Sequence, residues 1–317
     1  MQPPFRLGLI GAGRMGRTHL RALASSRAVA VSAIVEPVEA ARDAVRAPGR
    51  ELFEDVDQML AAGAIDGVLI TAPSDRHIEL VTQVAAAGLP ILCEKPCGLS
   101  SAEIEQAIRE TDRHGVPIQV AYWRRYVPEL QALRSRIEQG ELGDVHLVAS
   151  LQWDGGPPSD TFRAHSGGIF RDMGVHEFDQ VRWLTGQEFG ELSAVAAPWT
   201  EVQGLWKDVD SAQALGRLSG GTSAFVSLGR YFPGGDMARI EVFGSRDAVR
   251  SDFLDPKDGE QAQLDALVRQ AEGFAVFARG GLRTGASIHD ALAALAAAEQ
   301  AWAAIQPPEP ALAGRGG

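Results

Sequence analysis

The sequence predicts a doubly wound parallel α/β sheet, a Rossmann domain, followed by an α+β domain with a large, mostly antiparallel open sheet. Three observations predict it. Apolar strand-like runs alternate with helix-like segments over the first third of the chain, as in a parallel sheet covered on both faces. A glycine turn follows the first of those runs. Past about residue 122 the runs lengthen and hairpin signals join them.

In chain order, residues 6–10 read as a strand, 11–16 as the glycine turn and 13–25 as a helix. Residues 29–35 and 65–71 are the next apolar strands, the second closed by Ala72-Pro73. Ser74 or Asp75 caps a helix that ends near Gly88, and residues 89–94 form another strand. Ser100 and Glu103 have capping-box spacing for a helix stopping at Gly115, before a strand at 116–122. Later strands are expected at 145–153, 192–199, 211–218, 222–230 and 237–243, with Ser219-Gly220-Gly221 as a hairpin turn. One helix, 168–185, interrupts them, and an Ala-rich helix spans 286–305. The boundaries are then 1–121 for the dinucleotide domain and 122–305 for the substrate domain, with a flexible Pro/Gly/Ala tail at 306–317. The last helix, 286–305, is a candidate to pack back on the first domain.

Composition narrows the function. The net charge is −11, with no basic run, so a nucleic-acid partner is not expected. Two cysteines, Cys93 and Cys97, are too few for a disulfide framework and read as reduced cytoplasmic thiols. The start of the chain lacks a signal-peptide pattern, and no run approaches the roughly 18 apolar residues that span a bilayer. A cytoplasmic protein without a membrane partner is expected.

Gly11-Ala12-Gly13-Arg14-Met15-Gly16 sits between a strand and a helix. Gly11 permits the tight turn, Gly13 lets the backbone approach a pyrophosphate, and Gly16 lets helix and strand pack closely. The pyrophosphate then lies on the positive helix N-terminus. Glu36 ends the second strand, where its carboxylate accepts ribose hydroxyls and repels a 2′-phosphate. NAD is therefore favoured over NADP.

Hydride transfer from an alcohol needs a base for the hydroxyl proton and a donor for the developing alkoxide. Lys95, in Cys93-Glu94-Lys95-Pro96, stands at the carboxyl end of a strand, where ligands of open α/β sheets bind. It reads either as the alkoxide donor or as a surface lysine paired with Glu94. The Lys95–Pro96 bond is open to cis or trans. On the helix at 168–185, roughly 100° per residue puts Asp172, His176, Asp179 and Trp183 on one stripe, opposite Phe170, Met173, Val181 and Leu184. Asp172 and His176 are then i,i+4 neighbours, and the carboxylate is expected to orient the imidazole and favour its protonated form. An exposed surface pair has the same spacing. Trp153 and Asp154, with Arg163 beyond them, suit a polyhydroxylated ring, although a plain surface loop fits as well. No metal is expected: Gln180 stands where H-E-x-x-H needs histidine, and Cys93 and Cys97 lack paired zinc spacing.

Together these residues resemble the glucose–fructose oxidoreductase / inositol dehydrogenase (Gfo/Idh/MocA) family. The resemblance rests on Gly11-Ala12-Gly13-Arg14-Met15-Gly16, Thr71-Ala72-Pro73 with His77, Glu94-Lys95-Pro96, and Gly167-Gly168 with Asp172, Gly174, His176 and Asp179. It implies that Lys95, Asp172 and His176 are the catalytic set. His176 would accept the hydroxyl proton, Asp172 would tune His176 and bind a substrate hydroxyl, and Lys95 would bind the reacting oxygen. It further implies cofactor contacts from Arg14, Met15, Thr71, Ala72, Pro73, His77, Glu94 and Lys95. Lys95, Trp153, Asp154, Arg163, Asp172 and His176 would line the substrate pocket. The segments around Trp153–Arg163 and Ser166–Asp172 look most like the inositol 2-dehydrogenase branch. The resemblance also implies a homo-oligomer, a dimer or tetramer, formed through the open sheet face. Two other readings remain: a dehydrogenase of an aldopyranose, rare sugar or anhydrosugar, and a non-catalytic dinucleotide-binding regulator.

Overall fold

The computed structural model describes residues 3–197, 208–255, 257 and 259–305. The first sheet contains β1 (Phe5–Ile10), β2 (Val29–Val35), β3 (Glu51–Phe53), β4 (Gly67–Ile70), β5 (Ile91–Cys93) and β6 (Ile118–Val120). Its order is β3-β2-β1-β4-β5-β6, and its pairs are parallel. Leu7, Leu9, Ile34, Leu69, Ile70 and Leu92 are each 0% exposed, so the strands are buried on both faces, as a parallel sheet requires. The helices are α1 (Arg14–Leu23), α2 (Glu39–Asp43), α3 (Val56–Ala62), α4 (His77–Ala86) and α5 (Ser101–His114). The caps explain their limits. The Ser100 side chain accepts from the Glu103 amide, and Gly115 ends α5 in the left-handed region at φ 63°. Because the order reverses between β1 and β4, their carboxyl ends open a crevice. The α2, β3 and α3 elements were not expected, because they are too short to show a period, although Asp55 caps α3 and Gly63 ends it in the left-handed region.

The second sheet contains β7 (Val145–Trp153), β8 (Phe189–Ala197), β9 (Ser211–Leu218), β10 (Ser223–Gly229), β11 (Met237–Gly244) and β12 (Ala248–Leu254). Its order is β12-β11-β7-β10-β9-β8. It is mixed: β7 and β10 run parallel and the other pairs antiparallel. The remaining helices are α6 (Pro128–Glu138), α7 (Asp160–His165), α8 (Val175–Thr185), α9 (Gly259–Ala278) and α10 (Ile288–Ala304). Val175, Phe178 and Val181 of α8 are buried in the cores that also take in Val148, Val226 and Leu228. Register places Val195, Leu215, Phe225 and Phe243 on the opposite face, where Val195, Leu215 and Phe243 are 64%, 56% and 42% exposed. The last two residues of the strand expected at 192–199, and the tail at 306–317, lie outside the described residues.

Other elements differ from expectation too: α7 and β12 were not expected, and three further differences have a physical reason. The helix expected at 168–185 begins as a π-helical turn, Phe170–Gly174, and only then becomes α8. The 20-residue α9 was not expected, because its apolar residues spread around the helix rather than forming one stripe. It returns to the first sheet: Ala271, Phe274 and Ala275 share a core with Phe5, Leu7 and Leu9, and the Phe274 ring meets Phe5 edge-on at 5.9 Å. The α6 helix also went unforeseen; it starts at Pro128, whose fixed φ suits the first helical position. The final helix, α10, packs on α5 and β6 as well as on α8 and β8. No described helix is long and apolar enough to cross a membrane.

Candidate active site

The glycine turn is shaped by close approach. A Cβ on Gly16 would stand 2.1 Å from the Gly11 carbonyl oxygen, and one on Gly11, at φ +96°, would meet the Ala72 backbone at 2.9 Å. A Cβ on Gly13 would meet nothing within 4 Å. The turn is thus tight beneath and open above, which fits a pyrophosphate lying on the first amides of α1. Arg14 is exposed and Met15 half-buried at that helix start. Glu36 is fixed at the end of β2: Oε2 accepts from the Ala12 amide at 2.8 Å and Oε1 from the Val38 amide at 3.0 Å. Each oxygen keeps a lone pair for a ribose hydroxyl.

Other residues of the first domain support this turn from behind. Thr71 donates its hydroxyl to the Gly11 carbonyl at 2.7 Å, tying β4 to the turn. Ala72 is half-buried and Pro73 exposed at the rim. His77 is buried, with Nδ1 2.8 Å from the Pro96 carbonyl and Nε2 2.9 Å from the Ala72 carbonyl. Burial, chiefly, pulls its pKa below the ordinary histidine value, and a neutral ring donates to one of the two carbonyls. Glu94 is also turned inward. Oε1 pairs with His19 Nε2 at 2.6 Å, and Oε2 accepts from the Lys95 amide at 3.1 Å. His77 and Glu94 therefore anchor the strand ends, and the Lys95–Pro96 bond between them is cis.

Lys95 reaches across to the second domain. Its Nζ donates to the Asp172 carbonyl at 2.7 Å and lies 3.5 Å from the Asp172 carboxylate. His176, on the first turn of α8, is buried, meets the rings of Tyr122 and Trp123 edge-on at 5.8 and 6.4 Å, and its Nδ1 has no hydrogen-bond partner. Burial first, then the nearby charges of Lys95 and Arg124, push its pKa well below the ordinary value. This corrects the expectation of an imidazole protonated by Asp172. The π-helical turn breaks the i,i+4 geometry, and the Asp172 carboxylate is drawn to Arg230 Nη1 at 3.2 Å.

The other members of the expected stripe are not in the site. Asp179 is paired with Arg125, at 2.9 Å from its Nε, and the Trp183 ring lies under Arg134. Trp153 faces away as well: it is on the open side of the second sheet, covers Gly229 and donates to the Ser227 hydroxyl at 3.2 Å. Arg163 is buried and committed to Asp208 and Asp210, at 3.1 and 2.9 Å. Neither Trp153 nor Arg163 is available to a substrate, because alternation along β7 turns the first outward and two carboxylates hold the second. Asp154 points the other way. It takes a hydrogen bond from Gln152 at 3.2 Å, and burial, with some help from the Asp172 charge, raises its pKa.

Arg230, Asp208, Arg124 and His19 escaped the sequence reading. One signal was there: Arg230 follows the apolar run of β10 as Lys95 follows that of β5. Among the described residues no group of three His, Cys, Asp or Glu side chains is arranged to hold a metal.

Comparison with known proteins gives the family. The family described as "Oxidoreductase family, NAD-binding Rossmann fold" matches residues 5–122, and the family's C-terminal domain matches residues 130–250. The chain is 48% identical over 297 residues to the rhizopine catabolism protein MocA of Rhizobium meliloti, covering 94% of each chain. It is 32% identical to the inositol 2-dehydrogenase of Rhizobium meliloti strain 1021, covering 93% of this chain and 95% of that one. The crystal structure of scyllo-inositol dehydrogenase from Lactobacillus casei with bound NAD(H) and scyllo-inositol superposes with a TM-score of 0.86 at 25% identity, covering 95% of this chain and 97% of that chain. A tight glycine turn at the switch point, a lysine at the next strand end and matches across both halves place this chain in the Gfo/Idh/MocA family of NAD-binding oxidoreductases.

Proposed function

We propose that this protein is an NAD-dependent dehydrogenase that oxidises one secondary hydroxyl of an inositol-like cyclic polyol to a ketone. One observation carries the reading: Lys95, at a strand end of the dinucleotide domain, grips Asp172 one turn before His176. A cation, an acceptor and a neutral base thus meet at the mouth of the cofactor crevice. The relatives named for inositol oxidation support the substrate class.

NAD, when bound, supplies the hydride acceptor. Gly11, Gly13, Gly16 and the start of α1 would hold its pyrophosphate, and Glu36 its ribose. Lys95 donates to the reacting oxygen and stabilises it as its proton leaves. His176 receives that proton. Its Nδ1 is sealed in the protein, which leaves Nε2 as the accepting atom. A lowered pKa keeps the ring unprotonated at neutral pH, ready to act as a base. Asp172 and Asp154 accept hydrogen bonds from further hydroxyls of the ring. The protein works in the cytoplasm as a dimer or tetramer; the exposed apolar residues Val195, Leu215 and Phe243 support association through the open sheet face.

Incubation with NAD and a panel of inositols, rhizopine, aldoses and anhydrosugars, followed by NADH absorbance, tests this reading. Turnover of an inositol or of rhizopine above all others is expected. Turnover of a pyranose alone would discard the cyclic-polyol assignment, and silence with NAD binding intact would favour the regulator. The relative named for rhizopine catabolism is the reason rhizopine belongs in the panel.

A further inference from the structure

We infer that Arg230 is a positioning residue of this site: it holds the Asp172 carboxylate toward the substrate hydroxyls and keeps it off His176. The inference rests on the polyol dehydrogenase reading for its kinetic consequences, and on geometry alone for the arrangement itself.

Arg230 follows β10 and is 0% exposed. Its Nη1 is 3.2 Å from Asp172 Oδ2, and its Nη2 is 3.1 Å from Asp208 Oδ2. The second contact is an ion pair without hydrogen-bond angles, since Nη2 and Nε have no hydrogen-bond partner. A buried guanidinium is tolerable only beside carboxylates, and a planar fork spans two of them as an ammonium does not. Asp208 is itself fixed by Arg163 and accepts from the Ile169 amide at 2.8 Å. The charges run Arg163, Asp208, Arg230, Asp172, Lys95, alternating from α7 to the end of β5. In this row Lys95 is anchored mainly on the Asp172 main chain, whereas the Asp172 side chain is anchored on Arg230. Arg230 therefore decides where that carboxylate points.

The consequence falls on His176. The groups facing it are Lys95 and Arg124, both cationic, the buried Tyr122 phenol and the Trp123 ring; Asp172 stands one turn back in the chain, held on Arg230. Released from Arg230, the Asp172 carboxylate can swing to the imidazole and favour its charged form.

The test is a ¹⁵N-histidine NMR titration of His176 in the NADH-bound protein, with the signal assigned by its loss in His176→Gln. In Arg230→Gln, His176 is expected to titrate at higher pH than in the wild type. With a substrate in hand, kcat/KM is expected to fall ~10–100-fold, as for a misplaced group at a reacting centre, with its acid limb moved to higher pH and NAD affinity unchanged. Arg230→Lys retains a buried cation, and with it the fold, but cannot span both carboxylates. Its titration is expected to move the same way by less, and it decides the matter if Arg230→Gln fails to fold. An unmoved His176 titration in the folded variants would overturn the inference. A wild type silent on every polyol would instead sink the functional reading, while the titration still decides the role of Arg230.

Discussion

His77 and His176 are both buried imidazoles, 1% and 6% exposed, one opening α4 and the other on the first turn of α8, and they are held in opposite ways. His77 lies between two main-chain carbonyls of its own domain, Ala72 and Pro96. His176 lies among side chains from distant segments: Lys95, Arg124, Tyr122 and Trp123. Burial lowers both pKa values, yet the consequences differ. A ring whose nitrogens face carbonyls ties two loops together. A ring that no main-chain carbonyl holds keeps Nε2, the nitrogen proposed as the acceptor, for a proton from elsewhere.

The sharpest break of this comparison is to remove each ring. His176→Ala, and Lys95→Met beside it, should lower kcat ~10³-fold while NAD still binds, as expected for loss of a general base or of an alkoxide donor. His77→Asn should instead lower the melting temperature and weaken NAD binding, with kcat at saturating NAD reduced less than about tenfold. Steady-state kinetics with fluorescence titration of NADH separates these outcomes. Equal losses of kcat at both positions would erase the distinction.

Glu36 gives a smaller effect within the cofactor half. Glu36→Ala removes two acceptors for ribose hydroxyls and the charge that repels a 2′-phosphate. The KM for NAD should rise about tenfold, the scale of one or two charged hydrogen bonds, and the preference over NADP should narrow. An unchanged ratio of kcat/KM for the two cofactors would mean that Glu36 serves only the turn, through the Ala12 and Val38 amides.

The gentlest test is pH. Both rings have folded pKa values below the ordinary 6.5, so the stability they contribute is present above that value. As pH falls through and below 6.5, the unfolded chain binds protons that the native rings refuse, and stability is lost. The loss is confined to the window between each ring's folded pKa and 6.5, where the slope is at most about 1.4 kcal/mol per pH unit per ring. Urea melts of wild type and His77→Asn should give a shallower slope in the variant; identical slopes would show that His77 binds its proton equally in both states.

Particular residues show what was legible in the chain. The glycine turn was readable because its demands are local: Gly11 needs a positive φ and Gly16 must admit a carbonyl 2.1 Å from any Cβ. The caps Ser100 and Gly115 are local in the same sense. The α8 segment was misjudged in detail, since a constant 100° rotation assumes an unbroken α-helix and the π-helical turn breaks it. Trp153 and Arg163 carried suitable chemistry, but the orientation of β7 and the partners of Arg163 come from other strands. The helix α9 was invisible because its buried side is completed by Phe5, hundreds of residues earlier.

The sequence by itself determined the doubly wound sheet, the dinucleotide turn and the lysine, aspartate and histidine that the site brings together. The sheet and the turn follow from short-range rules of backbone conformation and apolar periodicity and Lys95 from strand-end placement, whereas the grouping of Lys95 with Asp172 and His176 follows from the resemblance to the family. Tertiary structure alone decided which side chains those three meet: Arg230 for Asp172, the Asp172 carbonyl for Lys95, and a neutral, cation-flanked environment for His176. Charge pairing and burial depend on distances between segments far apart in the chain, and no local pattern encodes those distances.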